Sequence, residues 1–127
     1  MPRIEHIAIW CRDLDVMKHF YSTYFEGVSG EKYHNPEKSF SSYFLTFEDG
    51  SRLELMQKVG FEQQPLTNSL GWAHIAMSVG SREAVDELTS RLGEKGFVIV
   101  SRPRTTGDGY YESVVIDPEG NHVEITI

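Results

Sequence analysis

Apolar residues recur along this chain with two periods, and the two periods alternate in the same order twice. Between Arg3 and Trp10 the period is two: Ile7 and Ile9 fall on one side, and His6, Ala8 and Trp10 on the other, as in a strand. Asp13 then offers a helix N-cap, and Leu14, Met17, Phe20, Tyr21 and Tyr24 follow at helical spacing. Gly27 and Gly30 end that helix; a strand is expected around Ser29 to Tyr33, and His34-Asn35-Pro36 reads as a turn. Phe40 to Phe47 and Arg52 to Gln57 make a hairpin across Glu48-Asp49-Gly50.

The polar stretch from Val59 to Leu70 reads as a linker, after which the cycle restarts. Trp72 to Val79 is a strand, and Ser81 caps a helix with Val85, Leu88 and Leu92 on its buried side, ended by Gly93 and Gly96. Phe97 to Val100 is a strand, and Arg102-Pro103-Arg104 through Gly109 is a loop. Tyr110 to Ile116 and Asn121 to Ile127 form the last hairpin, turned by Asp117-Pro118-Glu119-Gly120. The pattern predicts an α+β fold of two tandem βαβββ units, each a cupped mixed sheet with one helix packed on its outer face. Residues 1–127 then make one domain, with repeat 1 at about 3–58, repeat 2 at about 71–127 and linker 59–70 between them.

The halves repeat their chemistry as well as their periods. Glu5-His6-Ile7-Ala8-Ile9 is echoed by Ala73-His74-Ile75-Ala76-Met77, and Gly50-Ser51-Arg52-Leu53-Glu54-Leu55 by Gly120-Asn121-His122-Val123-Glu124-Ile125. Leu53 and Leu55 alternate with Arg52, Glu54 and Met56, and Val123, Ile125 and Ile127 alternate with His122, Glu124 and Thr126. Each sheet thus has an aliphatic face for its own helix and a mixed face that carries His6, Glu54, His74 and Glu124. An apolar back with a mixed, concave front suits a sheet that cups a ligand.

A lone strand histidine is usually a hydrogen-bonded structural residue, and a lone strand glutamate usually faces solvent. Matched His and Glu in two copies are harder to explain that way. Two carboxylates facing one cavity repel each other unless a cation lies between them, and a divalent ion bound by both removes that cost. Two imidazoles and two carboxylates without a thiolate suit one Ni, Zn, Co, Mn or Fe ion per site. Four protein donors leave positions open, which is catalytic rather than structural in character. Trp10, Phe44, Met56 and Trp72 are expected to wall the substrate pocket. His122 is assigned to the rim, and Arg102 and Arg104 to a solvated loop.

Bulk properties narrow the setting. A chain of 127 residues makes one compact domain or two small half-domains sharing a core, and 39% apolar with 24% charged residues is a soluble globular composition. No apolar run approaches the ~20 residues of a membrane span, and the first residues lack a signal-peptide core. The single Cys11 rules out an internal disulfide framework and fits a cytoplasmic location. A net charge of −7 argues against a nucleic-acid partner.

At these residues the chain resembles the vicinal oxygen chelate superfamily, also called the glyoxalase/bleomycin-resistance/dioxygenase superfamily, over nearly its whole length. The resemblance rests on Asp117-Pro118-Glu119-Gly120-Asn121 with Glu124, and on Gly71-Trp72-Ala73-His74-Ile75-Ala76. Within the superfamily the chain is most similar to bacterial glyoxalase I (lactoylglutathione lyase). That resemblance implies an enzyme with His6, Glu54, His74 and Glu124 as metal ligands, working as a homodimer on a small-molecule substrate. The reaction implied is the metal-assisted isomerisation of a hemithioacetal of a 2-oxoaldehyde through an enediolate, a step in methylglyoxal detoxification. Glu124 would take the carbon-bound proton, and Glu54 would shuttle it. In bacterial glyoxalase I an Arg four residues after the first His and an Asn four after the first Glu hold glutathione. Here those positions are Trp10 and Lys58, which points to a different thiol or a different oxygenated metabolite. The alternatives are a fosfomycin-type thiol transferase or a dioxygenase of the same superfamily, against which Glu54 argues, and a metal-free bleomycin-resistance-like binding protein.

Overall fold

In the computed structural model, which describes residues 1–65 and 68–127, the chain forms two compact units, Met1–Gln63 and Gln64–Ile127. The first holds strand β1 (His6–Trp10), helix α1 (Leu14–Phe25), strands β2 (Val28–Ser29) and β3 (Tyr33–Asn35), a single 3-10 turn (Pro36–Lys38), and strands β4 (Phe40–Thr46) and β5 (Arg52–Lys58). Its strands are ordered β1-β5-β4-β2, with β3 also on β4; β1 runs parallel to β5, and the other pairs are antiparallel. The second unit holds β6 (Ile75–Ser78), α2 (Arg82–Glu94), β7 (Ile99–Thr105), β8 (Tyr111–Ile116) and β9 (His122–Thr126), ordered β6-β9-β8-β7 with β6 parallel to β9. Both are α+β units with one helix against one mixed sheet, as the periodicity predicts. No described helix is long and apolar enough to cross a membrane.

Local chemistry sets the ends of both helices. The Asp13 carboxylate accepts from the backbone N–H of Asp15 and Val16, and the Ser81 hydroxyl accepts from that of Ala84. Such caps satisfy N–H groups that have no partner within the helix, at about 1 kcal/mol each. At the other end of α2, Gly93 stays inside the helix, and Gly96 at φ 92° lets Phe97 N–H reach Leu92 O at 3.0 Å. The apolar stripes then meet the aliphatic faces of the sheets. Leu14, Met17, Phe20 and Tyr21 bury against Leu45, Leu53 and Leu55, and Val85 and Leu92 against Val115, Val123 and Ile125. Each such side chain contributes about 1.5–3 kcal/mol by leaving water.

Four segments differ from expectation. The strand expected around Ser29 to Tyr33 is split into β2 and β3, so the first unit has five strands where four are predicted. His34 lies in β3 rather than in a turn, because it pairs with Ser41 on β4; the turn is one step later, capped by the Asn35 side chain on Lys38 N–H. Strand β7 continues through Arg102-Pro103-Arg104, which the sequence places in a loop. It is an edge strand with register shifts on either side of Ser101, a place where proline's missing N–H costs no ladder bond. The beginning of the expected 59–70 linker is folded onto the first unit, where the Phe61 ring lies 4.5 Å from Trp10 and Arg12 Nη2 donates to Glu62 O at 2.8 Å. Leu66 and Thr67 of that linker lie outside the described residues.

Candidate metal centre

Parallel pairing of the first strand of each unit with its last brings a histidine beside a glutamate twice. On β1 and β5, Ala8 lies across from Glu54, and His6 precedes Ala8 by two residues on the same face. On β6 and β9, Ala76 lies across from Glu124, and His74 stands in the same relation to Ala76. His6 Nε2 is 3.5 Å from Glu54 Oε1, and His74 Nε2 is 3.0 Å from Glu124 Oε2. Both imidazoles are about two-fifths exposed, whereas the carboxylates are recessed (16% for Glu54 and 23% for Glu124). Of the four expected ligands, the structure thus assembles one His–Glu pair in each unit. Among the described residues no group of three or more His, Cys, Asp or Glu side chains is gathered so as to hold an ion.

The donor geometry within each pair suits a divalent ion. Two donors each about 2.1 Å from one ion stand about 3.0 Å apart at a right angle and about 3.4 Å apart at the tetrahedral angle. The 3.0 Å separation in the second unit matches the right-angle value, and the 3.5 Å in the first lies just beyond the tetrahedral one. The His6 ring is held from behind: its Nδ1 is 2.8 Å from Glu5 Oε2, and Glu5 in turn pairs with Arg52. A carboxylate on one ring nitrogen orients the other toward a ligand. The Arg52 hydrogen bond, then that of His6, holds the Glu5 carboxyl below its ordinary value.

Glu112 belongs to this face and was not among the expected residues. Val114 pairs with Glu124 and Glu112 with Thr126, so Glu112 projects on the same side as Glu124. The hydrogen bond to Glu124 raises the Glu112 carboxyl above its ordinary value; burial and the charges of Glu124 and Asp108 act in the same direction, and Arg104 opposes them. Two adjacent carboxylates mark a place where positive charge is favoured. Alternation along β8 beside the Asp117–Gly120 turn was the signal that could have found Glu112.

The expected pocket residues divide between the units. Phe44 lies edge-on to the His6 ring at 5.2 Å and pairs across the sheet with Glu54, while the Arg52 guanidinium sits 4.2 Å from the Phe44 ring centre. Trp10 and Met56 are cross-strand partners farther along the same face, and Trp10 also meets Phe40 and Phe61 edge-on. Trp72 belongs to the second unit, before β6, and is almost fully exposed. His122 pairs with Ile116 at the turn end of β9, on the Glu124 face.

The turn that aims Glu124 is built by Asp117, which is buried. Its carboxylate accepts from Glu119 N, Asn121 N and Asn121 Nδ2 at 2.9–3.0 Å, and Gly120 takes φ 96° to close the turn. The Asp117–Asn121 motif is therefore a self-bonded turn that fixes where β9 begins.

The profile of the Glyoxalase/Bleomycin resistance protein/Dioxygenase superfamily matches residues 3–125. The uncharacterized protein YqjT of Bacillus subtilis (strain 168) is 27% identical over 127 residues, covering 96% of each chain. The glyoxalase family protein from Enterococcus faecalis is 25% identical with a TM-score of 0.80, over 98% of this chain and 97% of its own. Glyoxalase I from Zea mays is similar in fold, with a TM-score of 0.81 at 23% identity over 98% of this chain. The chain spans only 44% of the maize enzyme's length. On the profile match over residues 3–125, the chain belongs to the glyoxalase/bleomycin resistance protein/dioxygenase superfamily.

Proposed function

We propose that the protein is a metal-dependent lyase of the glyoxalase I type, acting on the hemithioacetal of a small 2-oxoaldehyde. The observation that carries this reading is the repeated His–Glu pair, set in the same strand register in both units. One divalent ion per site (Ni, Zn, Co, Mn or Fe) would be held by His6, Glu54, His74 and Glu124, in a homodimer. When bound, the ion supplies Lewis acidity toward two adjacent substrate oxygens.

The chain's own groups do the rest. His6 and His74 are anchors, and Glu5 keeps the His6 ring turned so that Nε2 faces forward. Glu124 takes the proton from the carbon that bears the thioether, and Glu54 returns one to the neighbouring carbon. Trp10, Phe44, Met56 and Trp72 wall the substrate and exclude water. Trp10 meets Phe40 and Phe61, so an aromatic surface stands where bacterial glyoxalase I presents a guanidinium to glutathione. The reading therefore takes a thiol other than glutathione. Two matched carboxylates also tell against the thiol-transferase and dioxygenase alternatives, whose ligand sets have one. Methylglyoxal detoxification in the cytoplasm is the setting this reading implies.

Elemental analysis of the purified protein, followed by reconstitution with Ni, Co, Zn or Mn, tests it. Thioester formation from methylglyoxal with a panel of thiols is followed alongside, with Glu124→Gln as control. About one ion per site, with turnover lost in the variant, is the expected result. Failure to take up any of the four metals would overturn the four-ligand reading and leave a metal-free binding protein.

A further inference from the structure

The His–Glu face of the first unit continues well past His6 and Glu54, and alternation along its strands fixes what lies there. Ala8 and Trp10 follow His6 on that face, Met56 and Lys58 follow Glu54, and Phe40 of β4 lies across from Lys58. At about 3.3 Å per residue, Trp10 and Lys58 stand roughly 13 Å along the sheet from His6 and Glu54. Phe61 reaches the same place by a turn. Gly60 takes φ 97°, and Phe61 N–H lies 3.4 Å from Lys58 O, so the chain reverses directly after β5. The Arg12 side chain then pins the returning segment through Glu62 O at 2.8 Å. The result is a continuous row of rings. Phe61 lies 4.5 Å from Trp10, Trp10 6.2 Å from Phe40, and Phe40 6.1 Å from Tyr33.

These rings are not core. Trp10, Phe61 and Tyr33 are each about half exposed, and a contiguous exposed apolar patch marks a binding surface. The two contacts of Trp10 are edge-on, which leaves ring faces unstacked and able to receive another ring. Charge along the face changes sign: Glu54 stands at the metal end and Lys58 at the far end. Lys58 makes no ion pair among the described residues. A row of rings alone would also accept a quaternary ammonium group. An unpaired lysine on the same face disfavours that cation and favours an anion.

We infer that Trp10, Phe40, Phe61 and Lys58 form the subsite for the tail of the substrate's thiol, and that this tail carries an aromatic group and a single carboxylate. Continuity with the His–Glu pair on one sheet face makes the occupant part of the same substrate. The rings receive its aromatic group, and the Lys58 ammonium makes a charge-assisted contact with its carboxylate. Phe61 and Lys58, at the two ends of one turn, are the specificity-determining residues. The inference rests on the glyoxalase reading for the sulfur end of the substrate. Binding of the tail needs neither metal nor turnover, so the two can fail separately.

The test is titration calorimetry of the full chain without added metal. The probes are S-methyl-mercaptoacetyl-glycyl-phenylalanine, its carboxamide, and the alanine analogue of the acid; methylation removes a thiol that would itself bind metal. The phenylalanine acid is expected to bind roughly tenfold more tightly than its carboxamide and roughly tenfold more tightly than the alanine analogue. Lys58→Gln should erase the first preference and keep the second. Phe61→Ala should reduce the second and keep the first, while Lys95→Gln at the end of α2 changes neither. These crossed preferences are read within each variant, so a general loss of folding does not imitate them. Equal binding of acid and carboxamide by the parent would overturn the inference, as would a preference that survives Lys58→Gln, or no saturable binding of any probe. Sedimentation of Phe61→Ala covers the other occupant: conversion of a dimer to a monomer would assign the rings to a second copy and overturn the subsite. If the metal-loaded protein turns over none of the hemithioacetals while the binding order holds, the glyoxalase reading fails and the subsite stands.

Discussion

Glu124 stands directly across from Ala76 in the parallel β6–β9 pair, as Glu54 stands across from Ala8 in β1–β5. The duplication therefore reaches the level of individual ladder partners, with each histidine two residues upstream of the alanine. If the pairs act as equivalent halves of one donor set, they should fail alike. His6→Ala and His74→Ala are each expected to weaken divalent-metal binding by more than the ~10–100-fold that an outer partner is worth. Competition against a chelating dye measures this. A large loss from one variant and none from the other would show that only one pair holds the ion.

Glu5 is one such outer partner. Its carboxylate holds His6 Nδ1 and is itself anchored by Arg52. Glu5→Gln keeps a hydrogen-bond acceptor but loses the charge, so metal affinity should drop about tenfold while folding is little changed. Because Glu5 is an exposed residue, thermal unfolding of the metal-free protein should scarcely move. A variant with full metal affinity would remove Glu5 from the account.

Asp117 is expected to matter for stability before it matters for chemistry. It is buried, and its carboxylate satisfies three N–H donors of the turn that leads into β9. Asp117→Ala should cost about 2 kcal/mol in urea unfolding, since the N–H groups of this partly buried turn lose a charged acceptor. Metal binding should fall with it, because β9 carries Glu124. A loss below about 0.5 kcal/mol would mean that Gly120 and the strand pairing alone define the turn.

Much of this architecture is legible in the sequence because it is set by local chemistry. Alternation assigned His6, Glu54, His74 and Glu124 to the faces opposite the helices, and Asp13 and Ser81 act as the caps that their types suggest. What was not legible depends on distant partners. Pro103 reads as a loop residue until β8 supplies an edge for it, and His34 reads as a turn until Ser41 pairs with it. Phe61 sits in a polar stretch whose fate is decided by Trp10, far back in the chain. Glu112 escaped because repeat matching seeks what the halves share. Its counterpart in the first sheet is Ser42, which pairs with Met56 as Glu112 pairs with Thr126.

Tyr43 ties β4 to the start of α1 through a hydrogen bond from its hydroxyl to Asp15 Oδ1 at 3.1 Å. Burial first, and then the bond and charge of Asp15, raise the hydroxyl above its ordinary value of 10.0. The protonated form is thus favoured by folding. Its contribution is complete below pH 10 and is lost as pH rises through the raised value. Tyr43→Phe should cost about 1 kcal/mol at neutral pH and keep the Lys18 ammonium over the ring, which lies 4.5 Å from it. The gap between parent and variant should close in unfolding experiments above pH 10. A gap that persists unchanged there would mean that the hydroxyl is not what the alkaline limb senses.

The two hydroxyls buried under α2 give the sharpest stability test. Thr89 Oγ1 donates to Val85 O at 2.6 Å and lies 2.7 Å from Ser113 Oγ on β8, with both residues essentially inaccessible. A threonine hydroxyl has one hydrogen, and Val85 O takes it, so the bond between the hydroxyls must be donated by Ser113. The two single variants are therefore unequal. Ser113→Ala leaves Thr89 still donating to Val85 and should cost about 1 kcal/mol. Thr89→Val leaves the Ser113 hydroxyl buried with its donor unpaired and should cost about 2–3 kcal/mol. The double variant removes both polar groups from an apolar contact. It should be more stable than Thr89→Val alone, with a coupling of about 1 kcal/mol or more in the cycle. Additive losses would mean that the hydroxyls are not bonded in solution, and a costlier Ser113→Ala would reverse the direction of donation.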